Sequence, residues 1–472
     1  MEQQIQKKST FHFLFSRDAQ STLEVIIALT ILTTALTSAA LVVMSSQSLS
    51  VDSQESSVAL RLAQQNLESV TASSKDNFAT LSTSSSTQGE FTKTITVATT
   101  SDVNTKLVTS QVTWRTDPFR TQKVELTTLV TNWYAYQARG GNLGGSGPTG
   151  NWKNPKNAGN ADIDDGGYTT GIDAVSSTVY ITENHAGAAN FFIFSATDPL
   201  NISLLSAIDT GAGLNSIYYA PLSNLAYVAA NSTSSQLKII NVSNPSSPTV
   251  KKSFQLSGVS GSGAIGKSIF YNNSKVFVGT KTATGPEFHV VDVTSSTNPV
   301  DLGSYKVGAD INSIFVSGNT AYLATSDSSA ELRILDVSNP ASITSLATYN
   351  ATGTEAGLSI YGVGTTIYLG RASAGDNEFL IFDVSTPSSP QLLGSASIGG
   401  KVNGITARNG LAFLGTENSS KKIQIWDVSS PASSSLWSYL NPSQTPSAVH
   451  YENNYVYVVA KNGDALTIVT SQ

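Results

Sequence analysis

Leu332-Arg333-Ile334-Leu335-Asp336-Val337-Ser338-Asn339-Pro340 decides how this chain folds. A short apolar run meets an aspartate, and a proline follows four residues later. That order describes a buried strand running into a turn that the aspartate side chain and the proline ring both shape. Leu237-Lys238-Ile239-Ile240-Asn241-Val242-Ser243-Asn244-Pro245 repeats it, and residues 288–293, 379–387 and 423–431 carry further copies. A five-residue strand cannot bury its own apolar side chains, so its recurrence points to one strand of a larger repeated unit.

Outward from that strand, the rest of the unit emerges. A small residue followed by Ile or Val occurs at Gly171-Ile172, Ser216-Ile217, Ser268-Ile269, Ser313-Ile314, Ser359-Ile360, Gly404-Ile405 and Ala448-Val449. The steps between the small residues are 45, 52, 45, 46, 45 and 44. Eight residues after the Ile or Val stands an aromatic, at Tyr180, Phe277, Tyr322, Tyr368, Phe413 and Tyr457, with Tyr227 two later in the second copy. A weaker fourth run closes each unit, as at 391–398. Four short strands per unit and seven units predict a mainly-β chain with a seven-bladed β-propeller over residues 166–472. Small residues suit the crowded inner strands, and aromatics fill the widening space between blades. The seventh unit stops after its third strand, at 466–470. Its fourth strand must then come from upstream, and the weakly apolar residues 151–165 are the candidate.

The third-strand motifs resemble the LVIVD repeat of bacterial and archaeal surface propellers, with residues 332–340 the nearest copy. Asp292, Asp336, Asp383 and Asp427 recur just after this strand, with Asn241 in the same place. Four remote copies do not build one active site; an Asx side chain receiving a hydrogen bond from the following turn accounts for all of them.

Composition limits the chemistry. Lys+Arg 27 against Asp+Glu 33 gives −6, so no basic surface invites nucleic acid. Charged residues make up 13 %, about half the usual share, and Cys is absent. Disulfides, thiolate metal sites and cysteine nucleophiles are thereby excluded. Four scattered His residues offer no metal-ligand spacing. No cofactor is expected. Polar, low-charge composition argues for life outside the cytoplasm.

The N-terminus carries Lys7, Lys8 and Arg17 ahead of an apolar run, and residues 25–51 hold no charge. Twenty helical residues span about 30 Å, the thickness of a bilayer's hydrocarbon core. The basic flank predicts residues 1–19 inside and the remainder outside. Glu24 is out of place there, since a carboxylate in an apolar helix costs about 2.5–3.5 kcal/mol on insertion scales and needs a partner. A signal peptide cut near Ser38–Ala40 is the plainer alternative.

Gln20-Ser21-Thr22-Leu23-Glu24-Val25-Ile26-Ile27-Ala28-Leu29 resembles the processing site and assembly helix of type IV pilins and pseudopilins. The resemblance implies prepilin peptidase cleavage between Ala19 and Gln20, methylation of the new amine, and an assembly role for Glu24. The family's usual Gly before the cut and Phe after it are Ala19 and Gln20 here. It further implies a leader (1–19), a long helix (20–72, with 22–45 in the membrane or assembly) and a small α+β module completed by a sheet within 73–138. Leu60, Ala63, Leu67 and Val70 form the expected apolar face, residues 80–88 a loop, and 91–97, 106–114 and 123–133 the strands. Residues 139–150 carry six Gly, so 139–165 reads as a linker with a candidate closing strand.

Remaining motifs are weighed against plainer readings. Residues 261–268 satisfy the phosphate-loop expression, but that mechanism needs a helix after the loop, and a strand is expected. Asp162, Asp164 and Asp165 lack the Gly and Glu of a calcium loop, and calcium is only an alternative to a solvated turn there. The face where inner strands begin is the candidate ligand surface: Asn215, Lys267, Asp310, Asn312, Glu355, Lys401, Asn403 and Thr445. Its mixed charges and lack of a carboxylate pair suit recognition better than hydrolysis.

The expected function is a minor pilin-like or pseudopilin-like cell-surface subunit displaying the propeller for adhesion or binding. Its partners would be other pilin subunits, prepilin peptidase, the membrane and an extracellular protein or glycan. The alternatives are a membrane-anchored docking protein that never enters a pilus, or an extracellular hydrolase or lyase.

Overall fold

The computed structural model describes residues 17–78, 81–100, 105–117, 120–131, 148–163, 167–372, 377–460 and 466–472; within the long helix, side chains are described at 29–30, 32–38 and 53–74. The chain divides into two compact units, Met1–Ser101 with Thr105–Thr131, and Asp102–Asn104 with Asn132–Gln472.

The first unit is a helix on a sheet. Helix α1 (Arg17–Asn77) is followed by β1 (Ser84–Gln88), β2 (Phe91–Thr99), β3 (Thr105–Asp117) and β4 (Arg120–Thr131), antiparallel in that order. In β3 the buried residues Val108, Ser110, Val112 and Trp114 alternate, as one covered sheet face requires. Against Trp114 and Phe91 the helix presents Ala59, Leu62 and Ala63; against Val108 and Val130 it presents Val70. Small Ala59 and Ala63 make room for the two rings, 5.9 Å apart. Two expectations need correction. Leu60 lies off this face and is 42 % exposed, because the buried stripe runs through Ala59, Leu62–Ala63 and Val70. Residues 84–88 are not loop: β1 pairs with β2 through its backbone and leaves its side chains in solvent, so no apolar pattern marks it.

The second unit contains seven four-stranded antiparallel sheets among the described residues. Their inner strands are Thr169–Val175, Leu214–Ala220, Gly266–Asn272, Ile311–Ser317, Gly357–Val363, Val402–Arg408 and Pro446–Glu452, taken below as blades one to seven. Each inner strand packs beside the next, and that of blade seven returns to blade one. Small third residues are enforced by crowding: a Cβ on Gly404 would meet the backbone of Val449 at 2.9 Å. The Ile that follows is buried in blades one to six, each such side chain contributing about 1.5–3 kcal/mol. Second-strand aromatics stack on the next blade's inner strand, Tyr180 on Tyr219 at 4.5 Å and Tyr227 on Tyr271 at 5.1 Å.

Blade seven takes its fourth strand, Lys156–Ala161, from upstream, paired with Leu466–Thr470. Just before it the chain is clamped. Buried Trp152 packs edge-on against Phe413 at 4.8 Å, its Nε1 donates to Asn454 Oδ1, and its carbonyl accepts from Ser438 Oγ. Asn151 N donates to the carbonyl of Gln472.

Five register pairs join the closing strand to the ring. Its removal would strip the backbone hydrogen bonds of that ladder, at about 1 kcal/mol each. Residues 148–472 should therefore unfold in one cooperative transition, while residues 166–472 should melt well below them or fail to fold. Equal melting temperatures by calorimetry would show that closure by this strand contributes nothing.

Candidate functional site: the axial face of the propeller

In every blade the first and second strands slip register between the first and third residues of the inner strand. The bulge leaves the second residue outside the ladder and turns it toward the axis. Those residues are Thr170, Asn215, Lys267, Asn312, Leu358, Asn403 and Ser447, and all seven line one axial cavity of about 110 Å³. That volume holds several waters.

Most of their polarity is already committed to the ring. Thr170 Oγ1 donates to the carbonyl of Leu214, Asn215 Nδ2 to that of Gly266, Asn312 Nδ2 to that of Gly357, and Asn403 Nδ2 to that of Pro446. Each acceptor is the first inner-strand residue of the next blade. Where the second residue is Lys267 or Leu358, the following serine takes over: Ser268 Oγ donates to Ile311 O and Ser359 Oγ to Val402 O, both at 2.8 Å. At the seam Ser447 Oγ meets Thr169 Oγ1 at 3.1 Å.

Of the expected ligand-face residues, Asn215, Lys267, Asn312 and Asn403 therefore line the cavity. Asp310, Glu355 and Lys401 lie just before their inner strands and do not. Asp310 binds Lys267 at 2.8 Å and accepts from Thr282 N and Oγ1. Burial would raise the Asp310 carboxyl, but the Lys267 and Thr282 contacts outweigh it and hold the group below its ordinary value. Lys401 pairs with Glu417 at 3.3 Å. Glu355 is half-buried outside the cavity.

A second periodic device escapes sequence reading. The residue before each third strand in blades one to five is a buried Asn190, Gln236, Glu287, Glu331 or Glu378. Each accepts the backbone N–H twenty residues on, at Thr210, Leu256, Val307, Ala351 and Ile398. This pins the link that leads into the next inner strand. In blade six the position is Lys422 and the residue twenty on is Pro442, which has no N–H to offer. The polarity is reversed: Lys422 Nζ donates to the carbonyls of Pro442 and Ser443 at 3.0 and 2.5 Å. Glu331 also holds buried Arg371 at 2.9 Å. The only signal was one polar residue ahead of each apolar run.

Other motifs resolve structurally. Asn241, Asp292, Asp336, Asp383 and Asp427 each accept the backbone N–H two residues on. Gly266–Asn272 is a strand, so residues 261–268 do not open a helix and cradle no phosphate. His450 faces Asp173 at 3.3 Å across the blade-seven seam, and nearby Glu452 accepts from Ser176 and Ser177 N. Burial raises the Glu452 carboxyl despite those two donors. Asp162 is exposed, and Asp164 and Asp165 lie outside the described residues. No three His, Cys, Asp or Glu side chains among the described residues are grouped to hold a metal.

The LVIVD repeat family matches residues 222–255, 308–351 and 373–397, which fall within blades two, four and five. No curated protein matches the chain. Among solved structures, a chain of the mitotic checkpoint complex is similar at 13 % identity and a TM-score of 0.51, covering 69 % of this chain and 95 % of that one. The WD40 β-propeller domain of Doa1 is similar at 15 % identity and a TM-score of 0.50, covering 67 % and 97 %. The likeness is one of fold: this chain carries a β-propeller built with LVIVD repeats.

Two outcomes test the geometry. Lys422→Glu should destabilise the propeller, because its carboxylate would face two carbonyls. Adding Pro442→Ala should recover about 1–3 kcal/mol of coupling by supplying the N–H that the other blades use; additive effects in chemical denaturation would refute the pairing. The depressed Asp310 carboxyl contributes stability that is present above its ordinary value of 3.8 and lost as pH falls through its folded value. The stability gap between the native chain and Asp310→Asn should accordingly be full at pH 6 and close in strong acid.

Proposed function

We propose that the chain is a minor pilin-like or pseudopilin-like subunit that displays its propeller outside the cytoplasm as a binding head, without catalytic activity. The observation that carries the reading is the tandem of a processing-site-like segment with a helix-on-sheet unit. Ala19-Gln20 and Glu24 lie in α1, whose later half packs on a four-stranded antiparallel sheet. Cleavage after Ala19 would leave an ammonium at Gln20 one turn from Glu24, and a neighbouring subunit's ammonium could neutralise that carboxylate as helices pack.

The described part of the apolar segment suits such packing. Leu29, Leu32 and Leu36 are exposed along one side. Thr33, Thr34, Thr37 and Ser38 donate to carbonyls four residues back at 2.6–2.8 Å, so their hydroxyls need no water. Among the described residues no helix is long and apolar enough to cross a membrane; most side chains of 22–45 lie outside that set. For the head, the axial cavity is lined by Lys267, hydroxyls and ring-closing amides with no paired carboxylates, which favours recognition over hydrolysis.

Mass spectrometry of the protein from its native membrane should find a chain beginning at Gln20. Glu24→Ala should abolish incorporation into filaments while leaving the propeller's melting transition in place. An intact leader, or a cut near Ala40, would favour a plainly anchored docking protein, and normal filament incorporation of the variant would refute the assembly role.

A further inference from the structure

A second cavity, of about 150 Å³, lies in blade seven beside its closing strand. A short side chain stands at its wall. The second residue of the third strand is Phe192, Lys238, His289, Arg333, Leu380 and Gln424 in blades one to six, and Thr467 in blade seven. In three blades a longer side chain at this position reaches a partner: Arg333 reaches Asp327, His289 reaches Asp301, and Gln424 reaches Ile398 O. Thr467 is too short to do so, and opposite it in register stands Asn160 of the closing strand.

The lining has a definite chemistry. Asn157, Asn160 and Gln444 bring amides, Ser443 and Thr467 hydroxyls, and the remaining lining is proline, valine and alanine, with no charged side chain. Thr467 is 8 % exposed, and neither its hydroxyl nor the Asn160 amide nitrogen donates a hydrogen bond among the described residues. Asn157 Nδ2 holds Asn160 Oδ1 at 3.0 Å, which turns the Asn160 NH₂ away from that contact. Lys422 fixes the opposite wall through Pro442 O and Ser443 O. No carboxylate lines the cavity to hold a cation and the Lys422 ammonium is already bonded to two carbonyls, while a hydrocarbon would leave the amides unpaired at about 1–3 kcal/mol each. Neutral donors and acceptors beside apolar ring faces match a neutral polyhydroxylated ring.

We propose that this cavity binds one neutral sugar residue, either free or at the end of a surface glycan. The proposal rests on the binding-head reading but uses a site distinct from the axial face. The test is calorimetric titration of the full-length protein in detergent with methyl glycosides of glucose, galactose, mannose and N-acetylglucosamine, together with an array of immobilised neutral and acidic glycans. At least one neutral sugar should bind saturably. Thr467→Phe, which installs the blade-one residue, and Asn160→Ala should each weaken it at least tenfold without lowering the melting temperature appreciably. Should Thr467→Phe unfold the protein, Asn160→Ala alone decides. Binding on the array but not of the free glycosides would assign the site to a glycan terminus. Absence of any neutral sugar binding, preference for acidic sugars, or affinity unchanged in Asn160→Ala overturns the proposal. None of these results depends on cleavage at Gln20 or on filament assembly, so the two readings fail separately.

Discussion

The ring of side-chain hydrogen bonds around the axis is the constraint on which the propeller depends. Seven sheets meeting at one axis bring inner-strand backbones close together, and in blades two to seven the first carbonyl of the inner strand faces a side chain of the preceding blade. A buried carbonyl left alone would cost about as much as a lost hydrogen bond. Six blades supply a donor to the next blade's first carbonyl, four from the bulged second residue and two from the serine after it. Blade spacing follows from that reach, and so does the small residue at the third position, where only Gly, Ala or Ser fits beneath the neighbour.

This explains what the sequence discloses and what it conceals. Ile at the fourth position and the aromatic eight residues later are enforced in copy after copy, because they fill equivalent volumes; repetition made them legible. The ring donor moves between second and third positions and changes between Thr, Asn and Ser. Hydrogen bonding tolerates that exchange and repetition does not reveal it. Asn215, Asn312 and Asn403 read as ligand contacts from topology alone, yet their amide nitrogens close the ring. On the helix, Ala63 and Val70 of the expected face lie on the sheet, but Ala59 and Leu62 make the contact in place of Leu60, because a leucine on either side of the true stripe fits the apolar spacing equally well. β1 is held by backbone pairing and by exposed polar contacts of Ser85 and Gln88 with β2, so its side chains carry no apolar record of it.

Low charge and buried carboxylates coexist for a definite reason. Glu287, Glu331 and Glu378 are buried, an arrangement that would be costly for free ions. Each is met by backbone N–H groups of the link twenty residues on, so the fold itself supplies the compensating dipoles. Among the described residues, Lys306 adds a cation at Glu287 and Arg371 one at Glu331. Asn190 and Gln236 perform the same duty uncharged, which shows that the position requires an acceptor and not a charge. Lys422 completes the argument by inversion: once Pro442 removes the donor, the only groups left to satisfy are carbonyls, and the side chain becomes a donor.

The closing strand joins these threads. As an outermost strand it cannot be strongly apolar without leaving a sticky edge in solvent, which is why Lys156–Ala161 gave so weak a signal. The same polarity places Asn157 and Asn160 beside the hollow that Thr467 leaves. The chain is held a second time just before this strand. There Trp152 is buried against Phe413 and bonded at both its ring nitrogen and its carbonyl, while Asn151 is tied to the last residue of the chain. The propeller is thus closed at that clamp as well as by the Lys156–Ala161 ladder.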